Sequence, residues 1–143
     1  MRIDIPENKK KIHETIISIR WGDMDSYRHI NNTVYFRYME QARIEWITSL
    51  GFSCTAEKEA MIMVNGFCNF YKQVSFPAFL RVSTFVGQIG NSTVDLLNTM
   101  DLIGPSADQE PVLCAAGGAT MLWVDLEKNK SMPWPESILK VLR

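Results

Sequence analysis

The chain has 143 residues, close to the commonest size for one domain, and is long enough to bury a core without disulfides or a structural metal. Fifteen Lys and Arg stand against sixteen Asp and Glu, and a formal net charge of −1 argues against broad electrostatic capture of nucleic acid. Three cysteines, Cys54, Cys68 and Cys114, are an odd number without C-x-x-C spacing, so they are expected to be buried thiols in a reducing compartment. Met1 to Lys11 is polar rather than apolar, and the longest apolar run, Val112 to Val124, falls short of the ~20 residues that span a bilayer. The expectation is a cytoplasmic protein, one domain over residues 1–143, with no membrane and no nucleic-acid partner.

In chain order, His13 to Ile19 is rich in isoleucine and threonine and predicts a strand. A polar loop follows from Trp21 to Asn32. Thr33 to Leu50 then contains neither Gly nor Pro, and Tyr35, Met39, Ala42, Trp46 and Leu50 recur at helical spacing. Asn32 is the expected N-cap, and Gly51 stands where a left-handed residue would end the helix. Four further strands are predicted over Met61–Tyr71, Leu80–Gln88, Ser92–Leu102 and Val112–Val124. Ser75–Pro77, Gly90–Asn91 and Gly104–Pro111 separate them. Pro135 to Leu142 predicts a short terminal helix. A strand, a long helix and then four strands without helices between them make an α+β pattern, most simply an antiparallel sheet that buries the helix on one face.

The segment Asp23 to Tyr35, DMDSYRHINNTVY, carries the polar residues of most chemical interest. The first turn of a helix has backbone N–H groups without internal partners, and its dipole favours negative charge, so it can stabilise an oxyanion on a carbonyl. Asp25 lies just upstream and could activate water or attack the carbonyl itself. His29 and Asn31 offer hydrogen bonds to loop, water or substrate. A purely structural reading remains open at this point: an asparagine cap, and aspartates that accept loop N–H groups.

Other chemistries leave no trace. There is no G-x-S-x-G elbow, no Walker A sequence and no G-x-G-x-x-G. His13 and His29 are the only histidines and lie far apart in sequence, which disfavours a histidine metal site. Lys9-Lys10-Lys11 is expected to be a solvated segment. Glu40 and Arg43, three apart, are expected to pair with each other or with nearby loops. Gly117-Gly118 inside an apolar strand predicts close backbone approach, with the helix as the expected neighbour.

The sequence Arg20-Trp21-Gly22-Asp23-Met24-Asp25, followed by His29-Ile30-Asn31-Asn32, Tyr35 and Glu40-Gln41-Ala42-Arg43, resembles hotdog-fold thioesterases of the 4-hydroxybenzoyl-CoA thioesterase type. The weaker later matches are Phe70–Val82, Ala115–Asp125 and Met132–Glu136. The resemblance implies a hotdog fold, a curled antiparallel sheet around one central helix, and an acyl-CoA thioesterase that needs no metal or other cofactor. It implies Asp25 as catalytic nucleophile or general base, and Asn32 as donor of a backbone N–H to the thioester oxygen. His29 and Asn31 would bind or orient substrate and water, as in the long-chain acyl-CoA and acyl-ACP branch, and Tyr35, matching the family's tyrosine on the first helical turn, would line the substrate pocket. The hydroxybenzoyl enzymes carry Pro-Ala-Gly where this chain has Ser26-Tyr27-Arg28, and the acyl-ACP enzymes carry Asn at the position of Tyr27. Family members pair into dimers and tetramers. The alternatives are an acyl-ACP thioesterase or a non-catalytic acyl-CoA-binding hotdog protein.

Overall fold

A computed structural model of the chain describes residues 1–53, 58–106 and 108–143; Cys54 lies outside them. β1 is Lys10–Ser18, α1 Asn32–Ser49, β2 Glu59–Phe70, β3 Phe79–Ile89, β4 Thr93–Ile103, β5 Val112–Asp125, β6 Lys130–Ser131 and α2 Glu136–Leu142. The strands form one antiparallel sheet in the order β1-β3-β4-β5-β2, with β6 paired to β5. This is the expected α+β hotdog arrangement, with α1 laid along one face of the sheet.

The long helix forms where the absence of Gly and Pro allows it, and its apolar residues recur on one side. Tyr35, Tyr38, Met39, Ala42, Trp46 and Ile47 are all buried. It stops as anticipated. Gly51 has φ +88, and its N–H donates to Thr48 O at 2.9 Å, while the Phe52 N–H donates to Ile47 O at 3.4 Å. Those two bonds make a Schellman motif, and Phe52 and Ile47 meet in the same core cluster.

Two core clusters lie beneath α1. Tyr35, Met39, Ala42, Leu80, Val82 and Met100 fill the one under its N-terminal half; Trp46, Val94, Leu96, Met121, Trp123 and Trp134 fill the other, which α2 closes. The Lys9–Lys11 run is not simply solvated. Lys10 Nζ donates to Val141 O at 3.0 Å and to Arg143 O at 2.9 Å, tying β1 to the end of α2, while Lys9 stands over the Phe85 ring.

The paired glycines divide between the two faces. A Cβ on Gly117 would meet Phe67 O at 2.3 Å and Met39 Sδ at 3.0 Å, so this position faces α1, as expected. A Cβ on Gly118 would instead meet Leu97 Cδ2 at 2.7 Å, on the other side of the sheet. Arg43 and Glu40 do not pair. Among the described residues they form no ion pair with each other; Arg43 is 6% exposed with its guanidinium against Met63 Sδ at 3.7 Å, and Glu40 is exposed. The helical period turns Arg43 inward beside Ala42 and Trp46, whereas Glu40 lies on the outer face.

Candidate active site

The link between β1 and α1 is a short 3-10 turn, Trp21–Asp23, then a tight excursion that returns to the helix. Met24 and Ile30 bridge as an antiparallel pair, the Asp25 N–H donates to His29 O at 3.1 Å, and the Arg28 N–H donates to Asp25 O at 3.0 Å. That is a three-residue hairpin, whose last loop position takes a left-handed conformation; Arg28 occupies it with φ +62. Gly would adopt that conformation without strain, whereas a side-chain-bearing residue is disfavoured by about 1–2 kcal/mol.

The rest of the fold holds the loop firmly. Ile30 is buried in the first core cluster, worth roughly 1.5–3 kcal/mol of apolar burial, and its N–H donates to Val74 O at 2.8 Å. Ser75 Oγ donates to Arg28 O at 2.8 Å. Asp23 is an anchor: its Oδ2 accepts from Tyr38 Oη at 2.7 Å and from the Arg20 N–H at 3.0 Å, and its carbonyl accepts from the Asn31 N–H at 3.0 Å. Burial and the Asp23 carboxylate push the Tyr38 phenol far above its ordinary pKa, so its proton stays on this bond.

Asp25 is left for other purposes. Its Oδ1 accepts the Tyr27 N–H at 2.9 Å, and its Oδ2 accepts Asn31 Nδ2 at 3.3 Å. Asn31 Oδ1 in turn accepts the Thr33 N–H at 2.9 Å and the Thr33 hydroxyl at 2.7 Å. The helix cap is therefore Asn31, with φ −61 and ψ 137, and not Asn32 as expected. The anchoring of the Asn31 N–H to Asp23 O holds this residue extended, as an N-cap must be, and so makes Asn32 the first helical residue. One amide side chain thus ends the loop, begins the helix and faces the carboxylate.

Asp25, Tyr27, His29, Asn31, Asn32 and Tyr35 all line one cavity of about 470 Å³. The sequence-predicted site residues are brought together in it. Among the described residues, the Asn32 N–H has no acceptor and His29 Nδ1 is buried without a partner. Tyr35 is 3% exposed and meets Phe70 edge-to-face at 5.1 Å between ring centres and Tyr38 at 6.1 Å. Burial, reinforced by the neighbouring Cys114 and Cys68 thiols, pushes its phenol up to about 12. Burial also raises both thiols, Cys68 to about 12, so they stay neutral behind Tyr35.

Phe70, Tyr71, Lys72 and Gln73 complete the wall and were not anticipated as site residues. They sit at the end of β2 and just beyond it, where the Tyr71 and Lys72 N–H groups both donate to Cys114 O, at 2.8 and 3.0 Å. Nothing local in the sequence marks them. Only the pairing of β2 with β5 brings them beside the helix start.

Residues 19–142 match the family profile of the thioesterase-like superfamily. The chain is similar to a Pseudomonas aeruginosa protein, PA2801, provisionally named a thioesterase, with 31% identity over 94% of this chain and 100% of that one and a TM-score of 0.85. It is 28% identical to a Xanthomonas campestris protein provisionally named an acyl-CoA thioesterase, over 82% and 96% of the two chains with a TM-score of 0.72. It is also 25% identical to the uncharacterised protein YsmA of Bacillus subtilis, over 84% of this chain and 78% of that protein. The chain belongs to the thioesterase-like superfamily.

Proposed function

We propose that this protein hydrolyses the thioester of an acyl-CoA to the free acid and CoA, with Asp25 as the catalytic carboxylate. The observation that carries the reading is the geometry around Asp25. A carboxylate held by one N–H and one amide opens into the same cavity as an unpartnered N–H at the start of an 18-residue helix. A thioester is an activated carbonyl, so an attacking group and an oxyanion site are chemically sufficient. Asp25 either attacks the carbonyl carbon, expelling the thiolate and leaving an anhydride that water opens, or removes a proton from the water that attacks directly. In both routes the developing oxyanion lies at the Asn32 N–H, where the helix dipole favours negative charge. Asn31 fixes the carboxylate, His29 offers its unpartnered Nδ1 to water or substrate, and Tyr35 with Phe70 bounds the acyl group.

Asp25→Asn is the direct test. The amide can still accept the Tyr27 N–H but can neither attack nor serve as a base. Single-turnover hydrolysis across a panel of acyl-CoA chain lengths should fall at least ~10²-fold, with the melting temperature little changed. Near-full activity in that variant would refute the assignment.

The same reading includes a second copy of the chain. β2 is an edge strand of 12 residues, and Ile62, Val64 and Phe70 on it are exposed. Long apolar edges are normally covered by pairing. A dimer or a tetramer is expected in sedimentation at micromolar concentration, and a fully active monomer would contradict it.

A further inference from the structure

The loop that carries Asp25 has a second open side. Trp21, Met24, Arg28, Ser75 and Phe76 line a cleft of about 750 Å³ there, and Asp25 lines this cleft as well as the first cavity. Asp25 thus borders both spaces. Three observations mark the second space as more than leftover surface. Trp21 is 73% exposed and Phe76 43%, whereas the other three tryptophans, Trp46, Trp123 and Trp134, are buried. Arg28 retains a backbone conformation that Gly would adopt without strain, so its side chain is kept at a conformational cost. Its guanidinium also forms no ion pair among the described residues.

The frame around these groups is fixed. Ser75 Oγ holds the Arg28 carbonyl at 2.8 Å, and the Phe76 N–H rests on Met24 Sδ at 3.4 Å. Two exposed aromatic rings with an uncommitted guanidinium are the elements that recognise a phosphorylated purine. The rings stack on the base, and the planar cation takes phosphate oxygens.

We propose that this cleft seats the nucleotide end of a coenzyme A thioester, the purine against Trp21 and Phe76 and a phosphate on Arg28. The acyl carbonyl then lies across Asp25 in the first cavity, and the uncharged pantetheine arm crosses the loop between the two. The inference rests on the acyl-thioester reading above and deepens it, because an acyl carrier protein brings the same arm without a purine.

The test compares the CoA thioester and the pantetheine thioester of one acyl group. In Trp21→Ala and Phe76→Ala, KM for the CoA thioester should rise roughly tenfold, the order expected for a lost base stack. Its kcat should stay within twofold, and both constants for the pantetheine thioester should be unchanged. Arg28→Gly should show the same KM rise with a melting temperature equal to or above that of the parent, since Gly relieves the loop. An equal loss with both thioesters places the cleft at the reacting end and overturns the proposal, as does no loss with either. Dissociation of the oligomer by Trp21→Ala overturns it too, by making the face a subunit contact.

A readout without turnover separates this inference from the reaction itself. Trp21 is the exposed tryptophan, so in Asp25→Asn protein free CoA should quench fluorescence that pantetheine leaves intact, and Trp21→Phe should abolish the quench. Quenching by CoA in a protein that hydrolyses neither thioester would sink the reaction and leave the cleft standing. Hydrolysis of both thioesters without any quench would do the reverse.

Discussion

Asn31 combines two jobs that substitution can pull apart. Its Oδ1 caps α1 through the Thr33 N–H, and its Nδ2 reaches Asp25 at 3.3 Å. Asn31→Ala removes both. Loss of an N-cap costs about 1 kcal/mol, or about 4 °C in melting temperature for a chain of this size. Asn31→Ser keeps a good capping hydroxyl but has no amide to offer the carboxylate. A hydrogen bond to a charged group is worth about 1.5–3 kcal/mol, so kcat should fall roughly 10- to 100-fold while stability stays near that of the parent.

Asn31→Asp is the sharpest of the three. It preserves the cap, which the helix dipole favours, but sets a second carboxylate against the first. At 3.3 Å, like charges repel by about 1 kcal/mol in water and about 5 kcal/mol at an effective dielectric constant of 20. That is about one to three and a half pH units, since each unit corresponds to about 1.4 kcal/mol. The second negative charge makes loss of the last proton from the pair harder, and the acid limb of the kcat/KM profile should move to higher pH by at least about one unit. His29 lines the same cavity, so the profile is best compared in a His29→Gln background as well. If Asn31→Ser and Asn31→Asp both retained full kcat with unshifted profiles, Asn31 would be a helix cap alone and the argument for its hold on Asp25 would fail.

Two further outcomes follow from the packing around the site. Tyr38→Phe leaves the Asp23 carboxylate without its 2.7 Å phenol bond, and should lower stability by about 1.5–3 kcal/mol in chemical denaturation; an unchanged midpoint would show that Asp23 does not depend on that contact. Gly117→Ala puts a methyl group 2.3 Å from Phe67 O and 3.0 Å from Met39 Sδ, and should destabilise by about 1–3 kcal/mol because the obstructing oxygen belongs to the paired strand and cannot turn aside, whereas a neutral effect in thermal melts would mean β2 is free to yield there.

The sequence by itself determined what short-range physics controls. A run without Gly or Pro, apolar at helical spacing and closed by a residue suited to positive φ, specified α1 to within a residue at either end. Runs rich in β-branched, aromatic and apolar residues between turn residues specified β2 to β5. Asp25 and the helix start are seven residues apart, so their proximity was also a local fact. The tertiary structure decided everything that depends on which distant segments pair. It placed β2 against β5 and not against β3, which follows it in the chain, and so carried Phe70 to Gln73 to the cavity wall. The choice between Asn31 and Asn32 as cap was equally hidden, because both are good capping residues. What settled it was the hydrogen bond from the Asn31 N–H to Asp23, whose carboxylate Tyr38 holds from α1. Arg43 shows the same limit: a charged side chain three residues from Glu40 reads as an exposed partner until the helix packs and turns it inward. Local propensity selects elements through neighbours a few residues away, whereas order, register and burial depend on contacts between residues tens of positions apart, for which no single stretch of sequence carries a signature.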